Sequence, residues 1–352
     1  MPMETLDLAL RFYQRYGQVE EINNYYGLLA IYGLVQTCYE KNDESLLEQC
    51  RELLLKYPDG VDHPYYNFPC YRLGGNASAW ADMKGIQKRR PGELEHFAQC
   101  TMDGPKEESG LLCMPGREKE GWIWIDTLTA ITPFFLFAGI ARQDSRYIDF
   151  AADQSFRMYE ALLDTECDLL HQCRGFLPDG RCSGDHWSRG NGWGYLALAE
   201  LVQHLPADSK HRKKAEEYYL SLSAALLPWQ GQRGLWRQEI TDRGAWEESS
   251  GTALILYGMG IGLRLGLLDR EAYERVFKKG LDGLLRYGTN PDFSTELSCP
   301  GCLCPGDGSI HAYITEKQPQ RDEHHSFGAY MLALVEAHRN GITHIEWPDI
   351  RF

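Results

Sequence analysis

Trp122-Ile123-Trp124-Ile125-Asp126-Thr127-Leu128 runs directly into the apolar stretch 130–140. The segment 127–142 then carries helical periodicity, ends at the tight turn Gln143-Asp144, and is answered by a second helical segment, 145–163. A long connection, 103–125, precedes this helical hairpin, and another, 164–191, follows it. The same alternation recurs along the chain. Segments 25–40 and 43–57 pair across Asn42-Asp43, 192–204 and 210–226 across 206–209, and 249–265 and 270–287 across Leu268-Asp269. A weaker pair spans 76–87 and 91–102, and 325–339 closes the series. Long structureless loops are uncommon unless functional. Five or six stacked hairpins bury faces that no single hairpin buries alone. Closed into a ring, they form an all-α toroid with short turns on one rim and long loops on the other. The expectation is one domain over residues 1–352, with no alternating strand beyond short loop hairpins.

The long loops also hold the unusual chemistry. Seven of the nine tryptophans lie in or beside them, where a core would put them mid-helix. A second polar cluster, Asp185-His186-Trp187-Ser188-Arg189-Gly190-Asn191-Gly192-Trp193, opens the segment 192–204. Indole faces stack on sugar rings, an arginine fork grips carboxylates, and a carboxyl moves protons. Together they suit a carbohydrate site for an acidic sugar.

Composition narrows the partners. The 352 residues are 43% apolar and 24% charged, ordinary for a globular protein. A net charge of −14 argues against nucleic acid, whose phosphates call for a basic stripe. No run reaches the length of a membrane span. The first residues, Met1-Pro2-Met3-Glu4, lack the pattern of a secretory signal, so the eleven cysteines are expected as reduced thiols in the cytoplasm. Cys299-x-x-Cys302-x-Cys304, with His311 downstream, is the one thiol cluster to weigh for metal. It lacks a second ligand pair, and a thiol-bearing loop is the expected reading.

Each candidate has a plain alternative. Asp126 at a helix start is either a cap or a carboxyl whose apolar neighbours raise its pKa, as a general acid requires. Arg189 either binds a substrate carboxylate or ties loop carbonyls, and its flanking glycines allow close approach or a positive φ. Trp124, Trp187 and Trp193 either stack on sugar or pack. His171 and the pair His324-His325 are loop histidines that could face a ligand. Trp246-Glu247-Glu248-Ser249-Ser250-Gly251-Thr252 reads as a capped helix start with Glu247 or Glu248 as a weaker second carboxylate.

The order Trp-Ile-Asp-Thr-Leu…Pro-Phe-Phe-Leu, Leu-Leu-His, Trp-Ser-Arg-Gly-Asn-Gly-Trp, Glu-Ser-Ser-Gly-Thr-Ala, His-Ser-Phe-Gly-Ala-Tyr resembles the unsaturated rhamnogalacturonyl hydrolases of glycoside hydrolase family 105, related to the unsaturated glucuronyl hydrolases of family 88. The resemblance runs from about Tyr25 to Ala337. It implies an (α/α)6 barrel, an oligosaccharide ending in a 4,5-unsaturated uronic acid, and hydration of its vinyl ether without metal or other cofactor. It makes Asp126 the acid/base and puts His171, Trp187 and Arg189 at the substrate, with Trp124, Trp193 and His325 as further candidates beside them. The family also carries a second Asp at the start of the second hairpin. Here the sequence reads Leu73-Gly74-Gly75-Asn76-Ala77-Ser78-Ala79-Trp80, so Asn76 is the candidate substitute, with Asp82 in reserve. Two other readings stay open: a sugar epimerase of the N-acylglucosamine 2-epimerase type, which needs paired histidines, and a non-catalytic sugar-binding barrel.

Overall fold

The computed structural model describes residues 2–19, 25–56, 75–87, 92–302 and 307–346. Its helices are α1 (Thr5–Val19), α2 (Tyr25–Lys41), α3 (Glu44–Lys56), α4 (Gly75–Met83), α5 (Glu93–Met102), α6 (Thr127–Arg142), α7 (Ser145–Leu162), α8 (Ser188–His204), α9 (Arg212–Leu226), α10 (Ser249–Leu265), α11 (Arg270–Tyr287), α12 (Ile310–Glu316) and α13 (His325–Arg339).

Six of these are buried nearly all round. α6 buries every residue from Thr127 to Gly139, and α10 every residue from Ser249 to Leu263. A helix with no polar face belongs inside. These helices close a ring in which α2 packs on α4, α4 on α6, α6 on α8, α8 on α10, α10 on α13 and α13 on α2. The amphipathic helices lie outside: α3 packs on α2, α7 on α6, α9 on α8 and α11 on α10. α5 reaches α6 through the edge-on contact of Phe97 with Phe134 and the 2.8 Å pair of Glu95 with Arg142. This is the (α/α)6 barrel.

The sixth hairpin is built from the two ends of the chain. α1 packs on α13, and β1 (Pro2–Glu4) pairs antiparallel with β6 (His344–Glu346). The sequence pattern starts the series at Tyr25 and leaves α13 without its partner, because that partner lies some 300 residues upstream. The remaining strands are two-residue pairs within the long loops: β2 (Ile123–Trp124) with β3 (Cys173–Arg174), and β4 (Trp236–Arg237) with β5 (Glu247–Glu248).

The short turns have local causes. Gln143 ends α6 at φ 55° with its N–H on the carbonyls of Gly139 and Ile140, and Asp144 immediately caps α7 by accepting from Arg146 N. Gly266 ends α10 at φ 69°, and Asp269 caps α11 through Ala272 N. Because each inner helix returns by an outer one, all inner helices run the same way, and α4, α6, α8, α10 and α13 begin at the long-loop rim. Their N-termini, each carrying partial positive charge, converge there.

At that rim α8 and α10 touch backbone to backbone. A Cβ on Gly251 would sit 2.6 Å from Arg189 N and Ser188 C, and one on Gly192 would sit 2.8 Å from Leu254 Cβ. The glycines around Arg189 therefore serve close approach. Gly190 and Gly192 lie within α8, and neither has a positive φ. Gly251→Ala should force the two helices apart and cost about 1–3 kcal/mol, as overpacking does. Thermal melts should show a Tm lower by several degrees, and an unchanged Tm would mean that this contact does not set the spacing.

Candidate active site

The first turns of α4, α6 and α8 bring together an unusual number of buried polar atoms without a hydrogen-bond partner in the protein. They are Asn76 Oδ1 and Ser78 Oγ, Asp126 Oδ2, Thr127 Oγ1 and Thr129 Oγ1, and Trp187 Nε1, Arg189 Nε and Nη2 and Trp193 Nε1. A buried group left unpaired costs about 1–3 kcal/mol. Such a cluster at one mouth calls for polar partners from outside the protein, ordered water or a polar ligand.

Asp126 does not cap α6: its backbone is helical, and its side chain accepts no cap hydrogen bond. Burial raises its pKa to about 6, against the pull of the Arg189 guanidinium and the Trp193 indole N–H. Neither Asp126 Oδ2 nor Trp193 Nε1 completes a hydrogen bond.

Arg189 is fully buried and divided between two roles. Nη1 donates to the Cys299 carbonyl and to Ser250 Oγ at 3.0 Å, and lies 3.7 Å from Glu323 Oε2. The guanidinium stacks on Trp187, 4.6 Å from the ring centroid. Loop tying thus accounts for one arm and leaves the Nε and Nη2 donors for a ligand. Burial opposes the charge on Glu323, but His325 and Arg189 hold its pKa at about 2, so the carboxylate stays ionised.

His325 is engaged at both ring nitrogens, with Nδ1 on Glu323 Oε1 at 2.6 Å and Nε2 on the Tyr25 hydroxyl. It can reach a ligand only through its ring face or through those partners. His324 stacks on Tyr26 with ring centroids 4.8 Å apart. His171 stacks on His186 at 5.1 Å, and its Nδ1 is buried without a partner. Asn76 Nδ2 donates to Thr129 O at 2.8 Å, which fastens the start of α4 to the first turn of α6. Asp82 pairs instead with Arg142 at 2.6 Å, toward the other end of both helices, and cannot stand in for a carboxylate at the mouth. Trp124 belongs to a small cluster with Cys173, Met114 and Phe176.

Glu248 is the cap of α10: its carboxylate accepts from Ser250 N and Gly251 N, from Ser188 Oγ at 3.0 Å and from Cys299 N at 3.0 Å. The capped-start reading therefore describes it. Cys299 is buried, and burial pushes its thiol up to about 11. Cys304 lies outside the described residues. Among the described residues the cysteines carry no disulfide, and no helix is long and apolar enough to cross a membrane.

Sequence reasoning missed Glu323 and Tyr25, whose only sequence signal is proximity to His325 or to a helix start. It also missed Asp185, whose buried carboxyl accepts from Trp187 N and is pushed above its usual pKa by burial and by Glu239.

The family model described as Glycosyl Hydrolase Family 88 matches residues 77–341. The chain belongs to Glycosyl Hydrolase Family 88. Among curated relatives, an unsaturated 3S-rhamnoglycuronyl hydrolase of Formosa agariphila is 30% identical over 173 residues, 46% of each chain. An unsaturated rhamnogalacturonyl hydrolase of Bacillus subtilis is 24% identical over 162 residues, 46% of this chain and 45% of that one. The chain thus spans about half the length of the curated relatives it matches. A Clostridium acetobutylicum glycoside hydrolase from family 105 superposes with a TM-score of 0.80 at 19% identity, over 96% of this chain and 99% of the other. A family 88 glycosyl hydrolase from Bacteroides vulgatus gives 0.75 at 18%, over 95% and 98%. Both show the shared barrel.

The pKa of Asp126 also makes a stability statement. Its folded value, about 6, lies above its ordinary 3.8, so the proton favours the folded state. That contribution is present below about pH 4 and is lost as pH rises through about 6. Asp126→Asn in this family 88 chain should therefore stabilise the protein at pH 8 by about 1–3 kcal/mol and change little at pH 4. Chemical denaturation at the two pH values measures this, and equal effects at both would contradict a raised pKa.

Proposed function

We propose that this protein is a glycoside hydrolase that releases a 4,5-unsaturated uronic acid from the non-reducing end of lyase-generated oligosaccharides. The observation that carries the reading is Asp126: buried, free of capping duty, with one oxygen unpaired and a pKa near 6, beside Arg189. One carboxyl with that pKa can act first as acid and then as base. Protonated Asp126 delivers its proton to C4 of the double bond. A water then adds at C5 and gives its proton to the same carboxylate. The hemiketal opens at the C5–O5 bond to a C5 ketone and a C1 hemiacetal, and collapse of that hemiacetal releases the rest of the sugar chain as an alcohol.

Arg189 Nε and Nη2 hold the uronate carboxylate, aided by the converging helix N-termini. Trp187 and Trp193 offer indole N–H donors, while Trp124, His171 and His325 complete the walls. Asn76, with its amide oxygen unpaired, takes the second carboxylate's place and can accept from a sugar hydroxyl or orient the water, though it cannot ionise. The curated relatives' names support rhamnose as the following sugar. Family membership favours this reading over epimerisation, as does the engagement of His325 and His324 by Tyr25, Glu323 and Tyr26. We further read residues 1–352 as one catalytic domain, and the free thiols as suited to a reducing cytoplasm.

Incubation with unsaturated disaccharides, followed by ultraviolet absorbance of the conjugated uronate, tests the activity. The wild-type signal should fall, and Asp126→Asn should slow it at least about a hundredfold. The rate should decline as pH rises through about 6, because the step begins from the protonated carboxyl. A flat wild-type trace across rhamnose-linked substrates would overturn the proposal. Arg189→Lys should weaken substrate affinity, since a point charge cannot replace the fork. Lowered Tm with unchanged affinity would assign Arg189 to loop architecture alone.

A further inference from the structure

The turn that follows α7 gathers three kinds of metal donor around one point. Asp164, His171 and His186 each present a ligating atom, all within 4.8 Å of one another. His186 Nε2 lies 2.9 Å from Asp164 Oδ2 and 3.4 Å from Cys167 Sγ. His171 Nε2 lies 3.9 Å from Asp164 Oδ2. Around tetrahedral zinc, with nitrogen and oxygen at about 2.0–2.1 Å and sulfur at about 2.3 Å, neighbouring donors stand about 3.3–3.8 Å apart. Asp164, His171 and His186 already cluster near that spacing, and Cys167 approaches it from the side of His186. We propose that Asp164, Cys167, His171 and His186 form a structural zinc site.

The backbone builds this cluster beforehand. Leu163 and Leu170 form an isolated bridge, Asp168 N donates to Asp164 O at 2.8 Å, and His171 N donates to Leu162 O at 2.8 Å. Glu166 N occupies Asp164 Oδ1 at 2.8 Å and leaves Oδ2 for the ion. His186 comes from a different segment, held by its N–H on the Glu239 carboxylate and by Ile240 N on its carbonyl at 3.1 Å. Its Nδ1 lies 3.3 Å from Thr241 Oγ1 and 3.6 Å from Glu239 Oε1, the carboxylate backing that orients metal-bound histidines.

Asp164 and Cys167 both converge on one nitrogen, Nε2 of His186, which carries at most one proton. A thiolate, a carboxylate and two neutral imidazoles balance the charge of Zn²⁺ without remainder. The ion would clamp the 164–171 turn to residue 186, one position before Trp187 and three before Arg189. The ion takes no part in the proton transfer proposed above; His171 is the residue that the two readings share, and the zinc measurements below do not depend on turnover.

The test uses the full chain, stripped with chelator and reloaded. Elemental analysis should find about one zinc per chain after desalting. The cobalt(II) form should show a thiolate-to-metal charge-transfer band that vanishes in Cys167→Ser. Zinc affinity should fall at least about tenfold in Cys167→Ser and in His186→Ala. Glu239→Gln, which keeps all four ligands, should weaken binding more mildly and guards against loss of folding in the ligand variants. Cys299→Ser and Cys302→Ser should change nothing. A wild-type chain that retains no zinc would overturn the proposal, as would a cobalt band that persists in Cys167→Ser and disappears with Cys299 or Cys302.

Discussion

The close approach of α8 and α10 at Gly251 is the constraint on which the mouth of the barrel depends. With no side chain between them, the backbone of Ser188 and Arg189 lies against the first turn of α10. Glu248 then reaches both helices and the chain at Cys299 with one carboxylate. Cys299 is thereby placed to give its carbonyl to Arg189 Nη1. A glycine, a capping glutamate and a loop carbonyl thus fix which edge of the guanidinium is used internally. The other edge is left with two donors and nothing in the protein to receive them.

The same geometry tunes Asp126. Burial pushes the carboxyl up, and the nearby guanidinium pulls it down. The two oppose each other, with Trp193 on the side of the charge, and the balance falls near 6. Arg189 in turn lies 3.7 Å from Glu323 Oε2. Asp126, Arg189, Glu323, His325 and Tyr25 thus form a continuous series of neighbours.

Much of this was legible in the sequence, for identifiable reasons. Inner helices such as α6 and α10 are apolar all round and outer ones such as α11 are not, so the hairpin alternation reads directly from residue type. Asp126, Arg189 and Trp193 are legible because glycine and tryptophan crowd a helix start. What escaped depends on contacts between distant segments. α1 is an ordinary amphipathic helix whose partner is the last helix of the chain. Glu323 gains its role only from Arg189 and His325. The division of Arg189 between loop and ligand could not be read from one strand of text, since it turns on the carbonyl of Cys299, 110 residues away.

Asn76 shows how the fold can keep a site while its chemistry shifts. The start of α4 is pinned by Gly75, where any side chain would enter the Phe134 ring, and by the Asn76 amide on Thr129 O. An aspartate could not make that second bond in its ionised form, because it has no donor. Asparagine trades a charge beside Asp126 for a firmer joint between α4 and α6. The trade has an electrostatic consequence: a second carboxylate at this mouth would raise the pKa of Asp126 further, and in its absence burial, Arg189, the local backbone and Trp193 set the value near 6. The mouth thus presents one buried carboxyl with a raised pKa and one unpaired amide oxygen, a combination compatible with the proposed single-carboxyl chemistry.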